Sequence, residues 1–430
     1  MRKKLGFMSL VLCFLCLFGK DVYANISFAN IIPAVKKYEH KSLYSNEKWL
    51  SEGKVNYVVE PEDNSWDSMT YAKQLEASNP PLELLKSLSD EELVDLAMDY
   101  PFLCDIFAFN TFNQAMQHFS YTSTIFYELE NREIKNISSV IMERLEEQNI
   151  DYNSLISCTS KEKSNEYMKE LFMEAFLGTK EVVKSLPKDK IEKLVNIISD
   201  KYEEKLGICD DFSTGLYFYS TIQDEMGEIP NHFISEKLYK MIIENSDFNT
   251  ALSGFVSKNK IVQSSNGAWY TYGKYSKYGV YDTCYKYYSG DYTNVEKEIV
   301  NECYDNHNWT RLRSASKQYN CHSYCWITTS AQNKYWLNTP KKFYKGNNIV
   351  DNGVNKKVKK GQYIVIYDGY GNTTHSLRAA STSKGASINT YLTSTMTNSK
   401  LGTAGIYKAP LGDMFKLYSG FYYHTFTNNN

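Results

Sequence analysis

Apolar residues in the first half of the chain recur at the three- and four-residue spacing of an amphipathic helix. Residues 89–92 have the Ser-x-x-Glu form of a capping box, which marks a helix start, and Leu93 and Leu96 continue the apolar stripe. Two further stripes begin at Met168 and Ile191. We interpret these stripes as helices that pack against one another, so the pattern predicts an α-helical region.

After residue 260 the pattern changes, because ten aromatic residues crowd positions 269–292 and glycines interrupt them. Short aromatic runs broken by glycine favour strands and turns over a helix. Tyrosines can also stack on sugar rings, so a glycan-binding surface is the alternative interpretation of this segment.

A hairpin is predicted further along the chain. Residues 362–367 alternate as a strand, residues 368–372 form a turn, and residues 374–380 return as the partner strand. Residues 387–396 are rich in β-branched side chains and are a candidate for a third strand.

Charge divides the 430-residue chain into two unequal parts, although the formal net charge is only −2. Residues 25–260 carry 24 Lys and Arg against 40 Asp and Glu, and residues 261–430 carry 20 against 9. Such a break indicates a domain boundary, which we place at residues 257–267. The basic part can meet an anionic polymer such as cell wall, surface glycan or nucleic acid, or it can dock intramolecularly on the acidic part.

The N-terminus has the order of segments found in secretory signal peptides. Basic residues at positions 2–4 precede an apolar run at residues 5–18, and Val22-Tyr23-Ala24 supplies a cleavage site. This predicts a signal peptide over residues 1–24 and a secreted or cell-envelope protein. Cys13 and Cys16 each follow a leucine rather than a small residue, so we predict no lipid anchor and no stable membrane anchor.

The segment Asn-Cys-His-Ser-Tyr-Cys-Trp at residues 320–326 is the sharpest chemical feature. Helical spacing after Cys321 places this thiol at a helix N-terminus, where unpaired backbone N–H groups favour a thiolate. A thiolate nucleophile also needs a base, and His375 on the strand after the predicted turn is the best candidate. His322 adjoins Cys321, so on a helix its side chain is expected to point elsewhere.

Other uses of the cysteines remain open at this point. Cys321, His322 and Cys325 could ligate zinc, but no second pair of ligands follows at a suitable spacing, so we expect no metal. Seven cysteines lie outside the signal segment, and an odd number leaves one thiol without a partner in the same chain. Cys284 and Cys303 could pair, although sequence alone cannot fix the connectivity.

The order of the motifs in the last part of the chain resembles a branch of the NlpC-like and CHAP-like papain-fold cysteine peptidases and amidases of bacteria. About a quarter of the chain takes part in this resemblance. Its motifs lie at residues 320–326, 336–340, 361–368, 374–376 and 399–402.

The resemblance implies an α+β architecture in which a helix carrying the nucleophile packs on an antiparallel sheet. We expect an acidic α-helical domain at residues 25–260, a Tyr-rich connecting segment at residues 261–316, and a papain-like domain at residues 317–430.

The resemblance also implies roles for individual residues. Cys321 would be the nucleophile, with its own backbone N–H as oxyanion donor and Tyr319 as a further contributor, and His375 would be the general base. The third member of such a site is a polar residue that orients the imidazole. Asn398 is the first choice for this residue and Asn389 is the second.

The implied function is that of a secreted cysteine hydrolase, a peptidase or amidase that cleaves amide bonds in peptidoglycan stem peptides. Cys-His chemistry requires no metal and no organic cofactor. The expected partner is peptidoglycan or another peptide or amide substrate at the cell surface, and no nucleic acid. Two alternatives remain: an acyltransferase or transpeptidase with the same Cys-His pair, and a non-catalytic protein that binds surface glycan.

Overall fold

The structure is a computed structural model, and the chain is a mixed α+β protein with a helical first region and an antiparallel sheet in the second. The predicted signal segment, Cys158 and Cys209 lie outside the described residues. In the part of the chain that the structure describes, no helix is long and apolar enough to cross a membrane. The described residues are 41–51, 53–109, 112–157, 161–205, 261–263, 269–287, 291–305 and 307–429.

The first region consists of short helices that pack around aromatic and aliphatic side chains, together with a small hairpin of β1 (Leu50–Ser51) and β2 (Lys54–Val55) and a 3-10 helix at Leu103–Ala108. Its α-helices are α1 (Asn46–Trp49), α2 (Asn64–Asp67), α3 (Tyr71–Ala77), α4 (Leu82–Lys86), α5 (Asp90–Met98), α6 (Phe112–Thr122), α7 (Thr124–Asn131), α8 (Ile134–Glu147), α9 (Tyr152–Ser157), α10 (Lys161–Leu177), α11 (Lys180–Ser185) and α12 (Lys188–Lys205).

The predicted capping box is confirmed at the start of α5. The Ser89 side chain accepts the Glu92 N–H at 3.2 Å, and the Glu92 carboxylate accepts the Ser89 N–H at 2.8 Å. These bonds satisfy two backbone donors that a helix start leaves unpaired. The stripes that begin at Met168 and Ile191 lie on α10 and α12 and are buried, so the helical prediction holds there as well.

The second region contains most of the strands. The strands are β3 (Ile261–Gln263), β4 (Trp269–Lys277), β5 (Val280–Tyr287), β6 (Thr310–Arg313), β7 (Tyr335–Trp336), β8 (Ile349–Val354), β9 (Tyr363–Tyr367), β10 (Thr373–Ala379), β11 (Met396–Lys400), β12 (Ile406–Pro410) and β13 (Tyr422–Asn428). The helices are α13 (Asn294–Asp305), α14 (Cys321–Trp326), α15 (Ile388–Ser394) and α16 (Leu411–Leu417), with a 3-10 helix at Phe343–Lys345.

Seven strands form one antiparallel sheet in the order β6-β12-β11-β10-β9-β13-β8. The predicted hairpin is β9 and β10, and its turn is held by Asp368, whose Oδ1 accepts the N–H groups of Tyr370 and Asn372. The Tyr-rich segment also forms strands as predicted, within a four-stranded sheet in the order β3-β4-β5-β7. The central strands β10 and β11 are the ones that carry the candidate site.

The strand predicted at residues 387–396 is wrong. Its residues form α15, because the Ser387 side chain accepts the Thr390 N–H and the Thr390 hydroxyl accepts the Ser387 N–H. This cap outweighs the strand preference of the β-branched residues that follow. The next strand of the sheet, β11, begins only at Met396.

The two regions share one hydrophobic core, which extends from Val59 in the helical region to Tyr423 in the sheet. Where they meet, the ring of Phe102 stacks on His307 with 5.7 Å between centroids. The Phe107 carbonyl accepts the N–H of Thr403 at 2.9 Å. Aromatic rings and backbone groups make these contacts.

Candidate functional site

The helix α14 begins at Cys321, as the sequence predicts. Asn320 caps it, because its Oδ1 accepts the N–H of Ser323 at 3.1 Å and that of Leu337 at 3.3 Å, while its Nδ2 donates to the Leu337 carbonyl at 2.8 Å. The Asn320 amide therefore both starts the helix and fixes it to the segment after β7. The Cys321 N–H occupies the first helical position, which has no acceptor within a helix.

The helix packs against β10 through its polar side chains. Trp326 Nε1 donates to Ser376 Oγ at 3.2 Å, and His322 Nδ1 lies 2.8 Å from the same oxygen. Cys325 Sγ contacts the Leu377 carbonyl at 3.4 Å. The side chain of His322 is thus directed at β10, the strand that carries the candidate base.

His375 is completely buried on β10 and is held from two sides. Its Nε2 lies 2.5 Å from Ser399 Oγ, and its ring stacks on Tyr418 with 3.6 Å between centroids. The Tyr418 hydroxyl in turn donates to the Ala108 carbonyl at 2.9 Å, which ties the imidazole to the helical region. The other ring nitrogen, Nδ1, has no hydrogen-bond partner among the described residues.

In the described structure Cys321 and His375 have no hydrogen bond between them, since His375 Nε2 is bound to Ser399 and Nδ1 has no partner. The Cys321 sulfur accepts the backbone N–H of Ser376, the residue next to His375. Side chains alternate along a strand, so Ser376 faces α14 while His375 leaves the opposite face towards Tyr418. The thiol is therefore linked to the imidazole through the backbone of β10 at Ser376.

The candidate site lies beyond the residues at which β10 and β11 are paired. These strands pair at Arg378–Asn398 and Ala379–Thr397, and β10 then continues back to His375 while β11 continues to Lys400. The backbone groups at this end are available to other partners, as the Ser376 N–H shows by donating to Cys321.

The side chain hydrogen-bonded to the imidazole is that of Ser399, and not that of Asn398 or Asn389, the residues predicted to orient it. Alternation along β11 turns Asn398 to the opposite face from Ser399, and Asn398 Oδ1 has no hydrogen-bond partner in the described structure. Asn389 is exposed on α15, a segment that was expected to be a strand. Ser399 and Asn398 are adjacent, and the register of β11 decides which of them faces the imidazole.

Burial reverses the charge state expected for the pair. It raises the pKa of Cys321 to about 12, although N–H groups of Ser376 and His322 and the charge of Lys400 lower it. Burial also lowers the pKa of His375 well below its usual value and that of His322 to about 3. At neutral pH the thiol and both imidazoles are therefore uncharged in this structure, and the six-residue helix does not by itself produce a thiolate.

A buried lysine adjoins the site. Lys400 Nζ donates to the carbonyls of Ser316, Gly402 and Ala404 at 3.0, 2.7 and 2.6 Å, and it lies 5.0 Å from the ring centroid of Tyr319. Three acceptors match the three N–H groups of an ammonium ion. Burial lowers the pKa of Lys400 to about 7, against the charge of Asp291, which raises it.

No family model, curated protein or solved structure matches the chain.

Cys321, His322 and Cys325 do not converge as a metal site. The partners of His322 and Cys325 are Ser376 and the Leu377 carbonyl. In the described ranges no group of three or more His, Cys, Asp or Glu side chains is placed to hold a metal ion.

Three contributors to the site were missed from the sequence. Lys400 and Ser399 belong to a motif that was noted only as a run of residues, and a strand starting at Met396 would have put Ser399 on the buried face. Tyr418 follows α16 and carries no local signal, since its role depends on contacts with His375 and Ala108 far along the chain.

Proposed function

We propose that this protein is a cysteine hydrolase that cleaves amide bonds, with Cys321 as nucleophile and His375 as general base. The observation that carries the proposal is the arrangement of His375. One ring nitrogen is bound to Ser399, the other is unpaired, and the neighbouring backbone N–H binds the Cys321 sulfur. A base needs this combination of a fixed orientation and an open acceptor.

The proposed reaction begins from the neutral pair. With its proton on Nε2, His375 donates to Ser399 Oγ and keeps Nδ1 as an acceptor. When the thiol and Nδ1 come within hydrogen-bond distance, Nδ1 takes the thiol proton as the sulfur attacks the carbonyl carbon. The imidazolium returns the proton to the leaving amine, which leaves a thioester that water hydrolyses with His375 again as base.

We further propose a papain-like arrangement and a substrate among peptidoglycan stem peptides, with secretion as the cellular context. The order of the motifs and the predicted signal peptide support this choice. Replacing water by an amine in the last step would make the same residues an acyltransferase or transpeptidase.

The second histidine gives an alternative assignment of the base. His322 Nε2 is also buried without a hydrogen-bond partner among the described residues, and its Nδ1 is bound to Ser376. We favour His375 because two side chains, Ser399 and Tyr418, fix its ring. Turnover that survives His375→Ala and is lost in His322→Ala would reverse the assignment.

The test is mass spectrometry of peptidoglycan fragments after incubation with the protein. We expect shortened stem peptides with the wild type and with Cys325→Ala, and intact ones with Cys321→Ala. Cys325 is the matched control because it is a buried thiol on the same helix. Binding of fragments without cleavage would contradict the hydrolase and favour the glycan-binding alternative.

A further inference from the structure

Cys104 and Cys303 meet at the border between the two regions, although 199 residues separate them. Cys104 lies on the 3-10 helix Leu103–Ala108, and Cys303 lies on α13. The Cys104 sulfur is 3.7 Å from the Cys303 carbonyl oxygen, and the Cys303 side chain is close enough to raise the pKa of the Cys104 thiol. The two sulfurs are therefore within reach of each other by side-chain rotation.

The surroundings of the two thiols differ in a way that suits exchange chemistry. Cys104 is buried, whereas Cys303 is half-buried at the edge of the core. The hydrogen bond to Cys303 and burial raise the pKa of Cys104 well above its usual value. A dissolved disulfide thus meets Cys303 first. Cys284, which spacing suggested as a partner of Cys303, packs instead on the separate cluster around Trp326.

The backbone around the pair is already aligned. The Tyr304 hydroxyl, next to Cys303, donates to the Cys104 carbonyl at 2.9 Å. The same 3-10 helix supplies the Ala108 carbonyl that binds Tyr418. A covalent bond at this point would join the 3-10 helix of the helical region to α13.

We propose that Cys104 and Cys303 are a modification site at which a small disulfide such as oxidised glutathione forms a cross-link between the two regions. The Cys303 thiolate attacks oxidised glutathione, forming a mixed disulfide and releasing one glutathione thiolate. The Cys104 thiolate then attacks the Cys303 sulfur, forming the Cys104–Cys303 bond and releasing the second. Two cysteine thiols are oxidised, oxidised glutathione is reduced by two electrons, and the two protons pass to the released thiolates.

The test compares the full chain after treatment with oxidised glutathione and after dithiothreitol. A digest analysed by mass spectrometry without reductant should contain a peptide pair joined through Cys104 and Cys303. The bond closes a long loop in the unfolded chain, so the melting temperature should rise by about 5 °C. Cys284→Ser should keep both results, and Cys303→Ser should lose both.

Absence of the joined peptide pair from the oxidised wild type overturns the proposal, as does an equal rise in melting temperature with Cys303→Ser. Cys104→Ser provides a second variant, which should retain a mixed disulfide at Cys303. The readouts do not involve activity, so the cross-link is independent of the proposed hydrolase.

Discussion

Two fully buried polar clusters lie close together in this protein, one in the helical region and one at the sheet. In the first, the Tyr71 hydroxyl donates to Asp105 Oδ2 at 2.7 Å, and His118 Nε2 lies 3.9 Å from the same oxygen. In the second, His375 is bound to Ser399 beside Cys321. Each cluster contains a buried histidine whose pKa burial lowers.

The clusters differ in where they lie in their secondary structure. Asp105 is inside a 3-10 helix surrounded by the core, where its carboxyl group lies beside Tyr71 and His118. Cys321 is the first residue of a helix and lies where two strands cease to pair. Buried titratable groups with shifted pKa values are thus common to both clusters. The position of a nucleophile at the end of an element distinguishes the candidate site.

Substitution of Cys321, the proposed nucleophile, should show the difference between the two clusters most clearly. Cys321→Ala should reduce amide hydrolysis by at least about a thousandfold, because no other group can form the thioester. Asp105→Asn should leave turnover within about twofold, since Asn can still accept the Tyr71 hydroxyl. Steady-state assays on the same substrate measure both. If Asp105→Asn lost activity at unchanged thermal stability, the proposed distinction between the Asp105 cluster and the candidate site would be wrong.

The next largest losses of turnover should come from substitutions of His375 and of Ser399, which binds the His375 imidazole. We expect His375→Ala to lower turnover by about a hundredfold or more, and Ser399→Ala by about tenfold through loss of orientation. Asn398→Ala is the control, because it changes the neighbouring residue on the opposite face of β11. Equal losses in Asn398→Ala and Ser399→Ala would restore the asparagine as the orienting group.

The charge of Lys400 should affect the pKa of the Cys321 thiol, whereas that of Lys408 should not. Lys400→Met removes a charge that lowers the pKa of Cys321. Below about pH 7, where Lys400 is charged, the rate of Cys321 alkylation by iodoacetamide should therefore fall by about tenfold in the variant, and the difference from wild type should shrink as pH rises above 7. The control is Lys408→Met, at an exposed position on β12. An unchanged pH profile in Lys400→Met, at intact fold, would reduce the lysine to a structural role.

Acid should destabilise the protein through its buried histidines. Burial lowers the pKa of His307 to about 3, below the 6.5 of the unfolded chain. The stabilising contribution of the neutral ring is therefore complete above pH 6.5 and is lost as pH falls towards 3, by about 1.4 kcal/mol per pH unit for one group. His307→Gln should flatten the fall of the unfolding free energy over this range, as measured by urea unfolding. An identical slope would contradict the buried neutral ring.

Asp105 should make the free energy of unfolding change with pH in the opposite direction to His307. Its effect should be the smallest of those predicted. Burial raises the pKa of its carboxyl group to about 7 from 3.8. Its contribution to stability is therefore complete below pH 3.8 and is lost as pH rises to 7. Asp105→Asn should remove this component, so the variant should gain stability relative to wild type as pH rises. Thermal melts between pH 4 and 8 test this sign against that of His307→Gln.

Local signals explain which parts of the structure the sequence could predict. The cap at Ser89 and the start of α14 at Cys321 depend on residues within one helical turn, and the sequence located both. Ser399 depends on the register of β11, which was lost once residues 387–396 were interpreted as a strand. The protonated state of Cys321 depends on burial by residues from several elements, so a helix start alone gave the wrong charge.

The contact between Tyr418 and the Ala108 carbonyl has a consequence for how the protein folds. These residues are 310 positions apart, and the Thr403–Phe107 contact beside them spans 296. Contacts of such sequence separation close large loops and form late and slowly. The ring that supports His375 cannot reach its place until nearly the whole chain has left the ribosome. A nascent chain therefore lacks the Tyr418 contacts that hold the His375 ring against the helical region.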